Sequence, residues 1–299
     1  MVEITDFGFV ALWSPYFFLF ILGVTGLFFY ITVYKWKEFK NGEPLKLKEA
    51  ILFPITMLLI YIMKGSPIDL LGHIMFTFHM LQMAVLFLFI PQLFIISIPK
   101  WAWKTIIDLP IIRPIFKFFT KPLIALILFN GIFSFYHIPF IFDIVKTNAL
   151  YHSVYTIILF ILAIFMWWPL INHVEQKTLS GVAKLGFLLA ASVLLTPACA
   201  LIIFSKTPLY GTYSNPDMWI QSLHLCVPLD RIHTLNLSGP EALSFMPLLS
   251  DQQLGGVIMK ILQEIFYGMI LFKIFIEWYQ KENEVDPIVH YNSKLNTEK

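Results

Sequence analysis

Imidazole and thioether side chains recur in the apolar stretches of this sequence, and both groups bind metal ions. The histidines in this setting are His73, His79, His137 and His152, and the accompanying methionines are Met80, Met83 and Met259. Imidazole nitrogen together with thioether sulfur favours Cu(I), whereas calcium and magnesium prefer oxygen ligands. The residue types therefore predict a Cu(I) site. The plain alternative is that the histidines are polar tips at helix ends and the methionines fill gaps in the packing.

Further residues are candidates to support such a site. They are Gln82, Cys199, Asp251 and Gln252. Because a carboxylate is a poor ligand for Cu(I), we expect Asp251 to orient a histidine or to dock a copper donor. Cys199 fits either a small buried apolar residue or a metal thiolate.

Composition indicates that membrane-spanning helices must position these residues. The chain is 58% hydrophobic and 13% charged, whereas a soluble domain carries about 25% charged residues. An apolar helix needs about 20 residues to cross the hydrocarbon core. Seven stretches approach that length or exceed it: residues 14–34, 47–63, 70–98, 121–137, 150–170, 183–204 and 254–277. The predicted fold is an all-α integral membrane protein with seven transmembrane helices in a single domain, residues 1–299.

The distribution of lysine and arginine gives the chain an orientation. Fifteen of these residues fall in the first, third and fifth loops and the C-terminal tail, and four fall in the intervening loops. By the positive-inside rule the N-terminus lies outside and the C-terminus in the cytoplasm. We therefore expect a multi-pass protein of a bacterial plasma membrane.

This orientation also assigns the segments between and after the spans. Residues 205–253 form a long extracytoplasmic segment that folds over the outer mouth, and residues 279–299 form a cytoplasmic tail. Aromatic and branched apolar residues interleaved with lysines predict an interfacial helix near 101–119. The lipid bilayer is thus one partner, and the small net charge of +2 gives no reason to expect a nucleic-acid partner.

The same orientation places the candidate ligands at one level. Counting back about 20 residues from the inner end of span 70–98 puts His79 at the outer hydrocarbon boundary. His137 ends the fourth span on the outer side, and His152 begins the fifth span there. In a continuous helix over 70–98, the pairs that share a face are His79 with Met83 and His73 with Met80.

Other functional classes lack support in the sequence. Neither a GxSxG elbow nor an HExxH motif occurs, and we expect no enzymatic activity. A haem-carrying electron-transfer protein would need histidine pairs at two depths, and the inner leaflet offers none. The remaining interpretations are a metal-handling or assembly protein and a copper permease.

Several motifs carry a resemblance to a known family. They are Leu12-Trp13-Ser14-Pro15-Tyr16, the stretch from Gly72 to Met83, Tyr136-His137-Ile138-Pro139, His152, Met166-Trp167-Trp168-Pro169 and the stretch from Asp251 to Met259, which begins with Asp-Gln-Gln-x-Gly-Gly. Across nearly the whole chain, these resemble the CtaG family of Bacillus-type cytochrome c oxidase assembly factors. The resemblance implies a membrane factor needed to form active haem–copper oxidase, at the step that supplies or installs copper.

The resemblance also implies partners and shows departures. The implied partners are the oxidase catalytic subunit and an extracytoplasmic copper donor, and a metal-free chaperone for oxidase subunits remains an alternative. Many relatives carry a second histidine where this chain has Met83, and a Glu-His pair where it has Val154-Tyr155-Thr156. Met83 in place of histidine is chemically reasonable for Cu(I).

Overall fold

The computed structural model describes residues 3–172, 174, 179–235 and 237–297, with side chains up to residue 280. The elements assigned in these ranges are helical. The helices α1 (Phe9–Trp13) and α2 (Pro15–Phe29) open the chain, and α2 continues as a π-helix (Tyr30–Lys35). Ser14 separates α1 from α2 with a left-handed backbone, φ 34°. The next long helix is α3 (Leu47–Gly65).

The prediction of one continuous helix over residues 70–98 is wrong, because the helix is interrupted at Met75. The segments found there are α4 (Pro67–Ile74), α5 (Phe76–Ala84), a π-helix (Val85–Phe89) and α6 (Ile90–Ser97). Met75 is extended, with φ −128° and ψ 136°. The backbone N–H groups of Phe76 and Thr77 donate instead to the carboxylate of Asp251. His73 and Met80 therefore lie on different helices.

The single interfacial helix predicted near 101–119 is two short helices. These are α7 (Lys100–Ile107) and α8 (Ile112–Phe119). Pro110 lies between them and offers no backbone N–H to continue α7. Trp103 points into the bundle, where its indole N–H donates to the Ile95 carbonyl at 3.0 Å and its ring meets Trp168.

The middle of the chain supplies four more helices. They are α9 (Pro122–Tyr136), α10 (Pro139–Lys146), α11 (Ala149–Ile171) and α12 (Gly181–Ile203). Of these, α11 packs against α6 and α9, and α12 packs against α9. Proline begins α9 and α10, where its missing N–H costs nothing. Asn148 caps α11, since its side chain accepts from the Tyr151 N–H.

Segment 205–253 packs against the end of the bundle that carries α4. It contains α13 (Gly211–Ser214), α14 (Pro216–Leu223), α15 (Leu229–Leu235) and a 3-10 turn (Pro240–Ala242). Leu70 and Ile74 of α4 pack with Trp219, Leu223 and other apolar residues of this segment and of the N-terminus. This apolar cluster fixes the segment over α4.

The last helix, α16 (Leu248–Thr297), covers the predicted seventh span and continues into the predicted tail. It packs against α5 and α12. Gly255 and Gly256 permit this approach, because a Cβ at Gly255 would lie 2.8 Å from Phe76 and one at Gly256 2.8 Å from Ile203.

Several helices could cross a membrane. Among the described residues, four segments are long and apolar enough: Phe9–Glu38, Phe76–Ser97, Ala149–Ile171 and Gly181–Ile203. The number rises to six if each of two bent pairs is one span, Leu47–Gly65 with Pro67–Ile74 and Ile112–Phe119 with Pro122–Tyr136. The seventh span and the orientation stay predictions.

Candidate functional site

The four candidate histidines converge from four parts of the chain. His73 belongs to α4, His79 to α5 and His152 to α11, and His137 follows the last residue of α9. All four are buried. The ring centroids of His73 and His152 are 5.6 Å apart, and those of His79 and His137 are 6.4 Å apart. We call these four residues the histidine cluster.

Nitrogen atoms of the histidine cluster lack hydrogen-bond partners within the described part of the chain. They are Nδ1 of His73, Nε2 of His79, Nε2 of His137 and both ring nitrogens of His152. Nδ1 of His137 lies 2.8 Å from the Phe133 carbonyl oxygen. Because a carbonyl can only accept, Nδ1 carries the proton and Nε2 keeps a free lone pair. Buried polar atoms are normally satisfied, so this pattern points to a ligand.

A buried lysine contacts His79 and the backbone next to His73. The Nζ atom of Lys146 donates to the Gly72 carbonyl at 3.1 Å and lies 3.3 Å from Nδ1 of His79. Burial lowers the pKa of Lys146 to about 7, and the positive charge of Lys64 acts in the same direction. In the sequence Lys146 is one more cation in a loop, and nothing local marks it as buried.

Segment 205–253 covers the histidine cluster with tyrosines. The Tyr210 hydroxyl donates to the His137 carbonyl at 2.9 Å, and the Tyr213 hydroxyl donates to the Gly72 carbonyl. Asp143 of α10 holds this part of the segment by accepting from the N–H groups of Gly211 and Thr212. The buried environment of the imidazoles thus depends on segment 205–253.

A cavity of about 670 Å³ opens beside one half of the histidine cluster. Its walls are mostly apolar residues of α1, α2, α3 and α11. One end is polar and is lined by Lys64, Asp69, His73, His152 and Cys226. His73 and His152 are therefore the two imidazoles of the cluster that a ligand in this cavity can reach.

Asp69, His73 and Cys226 form a group that could hold a metal ion. One ligand atom from each lies within 4.8 Å of the others. Burial raises the pKa of the Cys226 thiol, and the neighbouring Asp69 carboxylate raises it further. The Asp69-x-x-x-His73 spacing places both side chains on one helical face and could have indicated this pair. Cys226 had no such signal, because 157 residues separate it from Asp69.

Gln82 supports Asp69 rather than a metal ion directly. Its side-chain amide donates to Oδ1 of Asp69 at 2.7 Å and to the Met63 carbonyl. Lys64 donates to the same Oδ1 at 2.6 Å. The Asp69 carboxylate is therefore held in one orientation and forms an ion pair with Lys64.

The three candidate methionines lie in the larger apolar core. Met80, Met83 and Met259 are buried among its side chains. Met80 packs beside Gly255, where α5 and α16 approach each other. The role of these thioethers as auxiliary copper donors stays a prediction.

Asp251 and Gln252 bind backbone groups, and the supporting roles predicted for them stay predictions. Both oxygens of the buried Asp251 carboxylate accept from the first N–H groups of α5, at 2.7 and 3.1 Å. Gln252 accepts from the Leu209 N–H at 2.6 Å and fixes the start of segment 205–253.

Cys199 behaves as a small apolar residue. It is a free thiol, 1% exposed, inside the larger apolar core. The thiol that lies beside an imidazole is Cys226, and this difference could not be read from the sequence.

The arrangement as a whole offers neutral imidazoles, a thiol and a fixed carboxylate around a partly apolar cavity. Imidazole and thiolate are ligands for soft or borderline metal ions.

Comparison with known proteins supports the resemblance drawn from the motifs. A family model described as cytochrome c oxidase caa3 assembly factor (Caa3_CtaG) matches residues 26–281. No curated protein and no solved structure gives a significant match. Since the family model spans most of the sequence, including all four members of the histidine cluster, the chain belongs to the cytochrome c oxidase caa3 assembly factor family.

Proposed function

We propose that this protein binds Cu(I) at the histidine cluster and helps to metallate the catalytic subunit of a haem–copper oxidase. The observation that carries the proposal is the burial of His73, His79, His137 and His152 at one end of the bundle, with ring nitrogens that have no partner in the ranges described. Because the chain belongs to an oxidase assembly family, we propose the oxidase as the recipient of the copper.

The burial of the cluster fits a protein that carries copper. Neutral imidazoles bind Cu(I) through their free ring nitrogens, and burial largely excludes water from the bound ion. The cavity beside His73 and His152 gives the ion a route to the cluster. In the predicted orientation this cavity faces the outer side of a bacterial plasma membrane, where an extracytoplasmic donor can deliver copper.

The test is a comparison of oxidase assembly in cells that lack the protein and in cells that carry variants. Deletion should leave the oxidase polypeptides present but poor in copper and inactive. His73→Ala and His79→Ala should reproduce that state, whereas His233→Ala should not, because His233 is exposed. The readouts are oxidase subunit abundance, copper per purified oxidase and oxidase activity.

Two other outcomes would contradict the proposal. Altered copper uptake or tolerance, whatever the state of the oxidase, would identify a copper permease. Loss of the oxidase subunits themselves, with His79→Ala fully active, would identify a metal-free chaperone.

A further inference from the structure

The polar end of the cavity brings a thiol next to an imidazole. Cys226, from segment 205–253, has its Sγ 3.6 Å from Oδ2 of Asp69. His73 contributes a ring nitrogen to the same group, in which the ligand atoms lie within 4.8 Å of one another. Metal ligands from such a group can converge on one ion after small side-chain rotations.

The two oxygens of Asp69 have different surroundings. Oδ1 accepts from Lys64 at 2.6 Å and from Gln82 at 2.7 Å. Oδ2 faces the thiol of Cys226. The Asp69 carboxylate is therefore neutralised by Lys64 and held in orientation by Gln82, which suits a residue that positions Cys226.

The imidazoles at this end of the cavity are available to a ligand. His73 is 1% exposed and His152 is 7% exposed, and both line the cavity. Nδ1 of His73 and both ring nitrogens of His152 have no hydrogen-bond partner among the residues described. These buried groups are a second indication of a ligand, independent of the cysteine.

We propose that Cys226 and His73, with His152 as a third donor, bind Cu(I) at the polar end of the cavity, and that Asp69 is a positioning residue. This inference rests on the proposed function and names the ligands that first receive the copper. It adds a thiolate from segment 205–253 that the histidine cluster does not contain.

Charge explains why a monovalent ion suits this site. The thiolate of Cys226 neutralises Cu(I), and Asp69 already neutralises Lys64. A divalent ion would leave a positive charge in a buried site close to Lys64, which is costly. When Cu(I) binds, a Cu–S bond forms and the thiol S–H bond breaks, so the proton passes to solvent through the cavity and no electron is transferred.

The experiment measures Cu(I) binding by the purified full-length chain in detergent, without oxygen, against a competing Cu(I) chelator. Cys226→Ser should weaken Cu(I) binding by at least about tenfold, the scale seen even for residues that only support a metal site. Cys199→Ser is the matched control, since Cys199 lies in the apolar core and should leave the affinity unchanged. Asp69→Asn should weaken binding less than Cys226→Ser does.

A second measurement on the wild-type chain needs no variant. Cu(I) should protect Cys226 from alkylation, and mass spectrometry distinguishes it from Cys199, the other cysteine of the sequence. This inference would be overturned if Cys226→Ser bound Cu(I) as tightly as the wild type does. It would also be overturned if Cys226 were alkylated equally fast with and without bound Cu(I). Either result would leave the proposed function standing. Failure of the folded wild-type chain to bind Cu(I) would overturn both.

Discussion

At the residue scale, one backbone carbonyl sets the chemistry of His137. The Phe133 carbonyl accepts from Nδ1, which leaves the lone pair of Nε2 facing the buried interior. His79 has its Nδ1 beside Lys146 and its Nε2 without a partner in the described chain. Nε2 is thus the nitrogen that His137 offers to a metal ion.

The buried ammonium of Lys146 should oppose the binding of a cation at His79. Lys146→Met removes that charge and keeps a side chain of similar length, so we predict a severalfold higher Cu(I) affinity. Chelator competition at fixed pH measures it. Lys206→Met is the control, because Lys206 is exposed. A weaker affinity in Lys146→Met would show that the amine supports the bound metal ion.

The identities of the four histidines could be predicted from sequence, but their neighbours could not. A histidine in an apolar stretch is conspicuous because such residues are rare and costly there. Lys146 and Cys226 come from segments whose approach to α4 depends on tertiary packing. The contacts of Asp251 could not be predicted for the same reason, since its partners lie 174 and 175 residues away.

At the element scale, the break at Met75 depends on the cap that Asp251 provides. Asp251→Ala leaves the N–H groups of Phe76 and Thr77 without their acceptor in a buried setting. We predict a loss of about 2 kcal/mol in unfolding free energy. Thermal unfolding in detergent measures it, with Asp251→Asn expected to lose less because its amide oxygen still accepts.

Asp230→Ala is the control for that comparison, because Asp230 is exposed. Equal stability of Asp251→Ala and Asp230→Ala would contradict the capping role. The break itself could not be predicted, because Met75 has no proline or glycine next to it. The acceptor that stabilises the new helix start belongs to α16.

The close contact between α5 and α16 leads to a second prediction at this scale. Gly255→Ala would place a Cβ 2.8 Å from Phe76 and 3.1 Å from Met80, so it should lower the unfolding temperature. Gly268→Ala on the same helix meets no atom within 4 Å. It should be neutral or stabilise by up to about 1 kcal/mol through helix propensity. A higher unfolding temperature for Gly255→Ala than for Gly268→Ala would contradict this packing of α5 against α16.

At the scale of the whole molecule, helix content and positions followed from the sequence more readily than the connections did. Apolar length predicts helices because a membrane leaves the backbone no other partners. The predicted ranges 150–170 and 183–204 correspond to α11 and α12 within a few residues. Segment 205–253 has no comparable constraint, so its short helices and its contacts with α4 needed the structure.

The distribution of lysine and arginine predicts the orientation of the whole chain in the membrane. In a chain with both native cysteines changed to serine, Glu241→Cys should react with a membrane-impermeant maleimide in intact cells. Lys40→Cys should react only after permeabilisation. Both positions are exposed. The reverse pattern would place the histidine cluster on the cytoplasmic side.

Copper binding by this protein is tested by measuring the Cu(I) content and affinity of the purified, folded chain. We predict tight, near-stoichiometric binding by the wild type and by His233→Ala, and weaker binding by at least about tenfold in His73→Ala and His79→Ala. If the folded wild-type protein bound no Cu(I) above background, this would contradict the proposed function. The histidine cluster would then be a packing feature of a metal-free assembly factor.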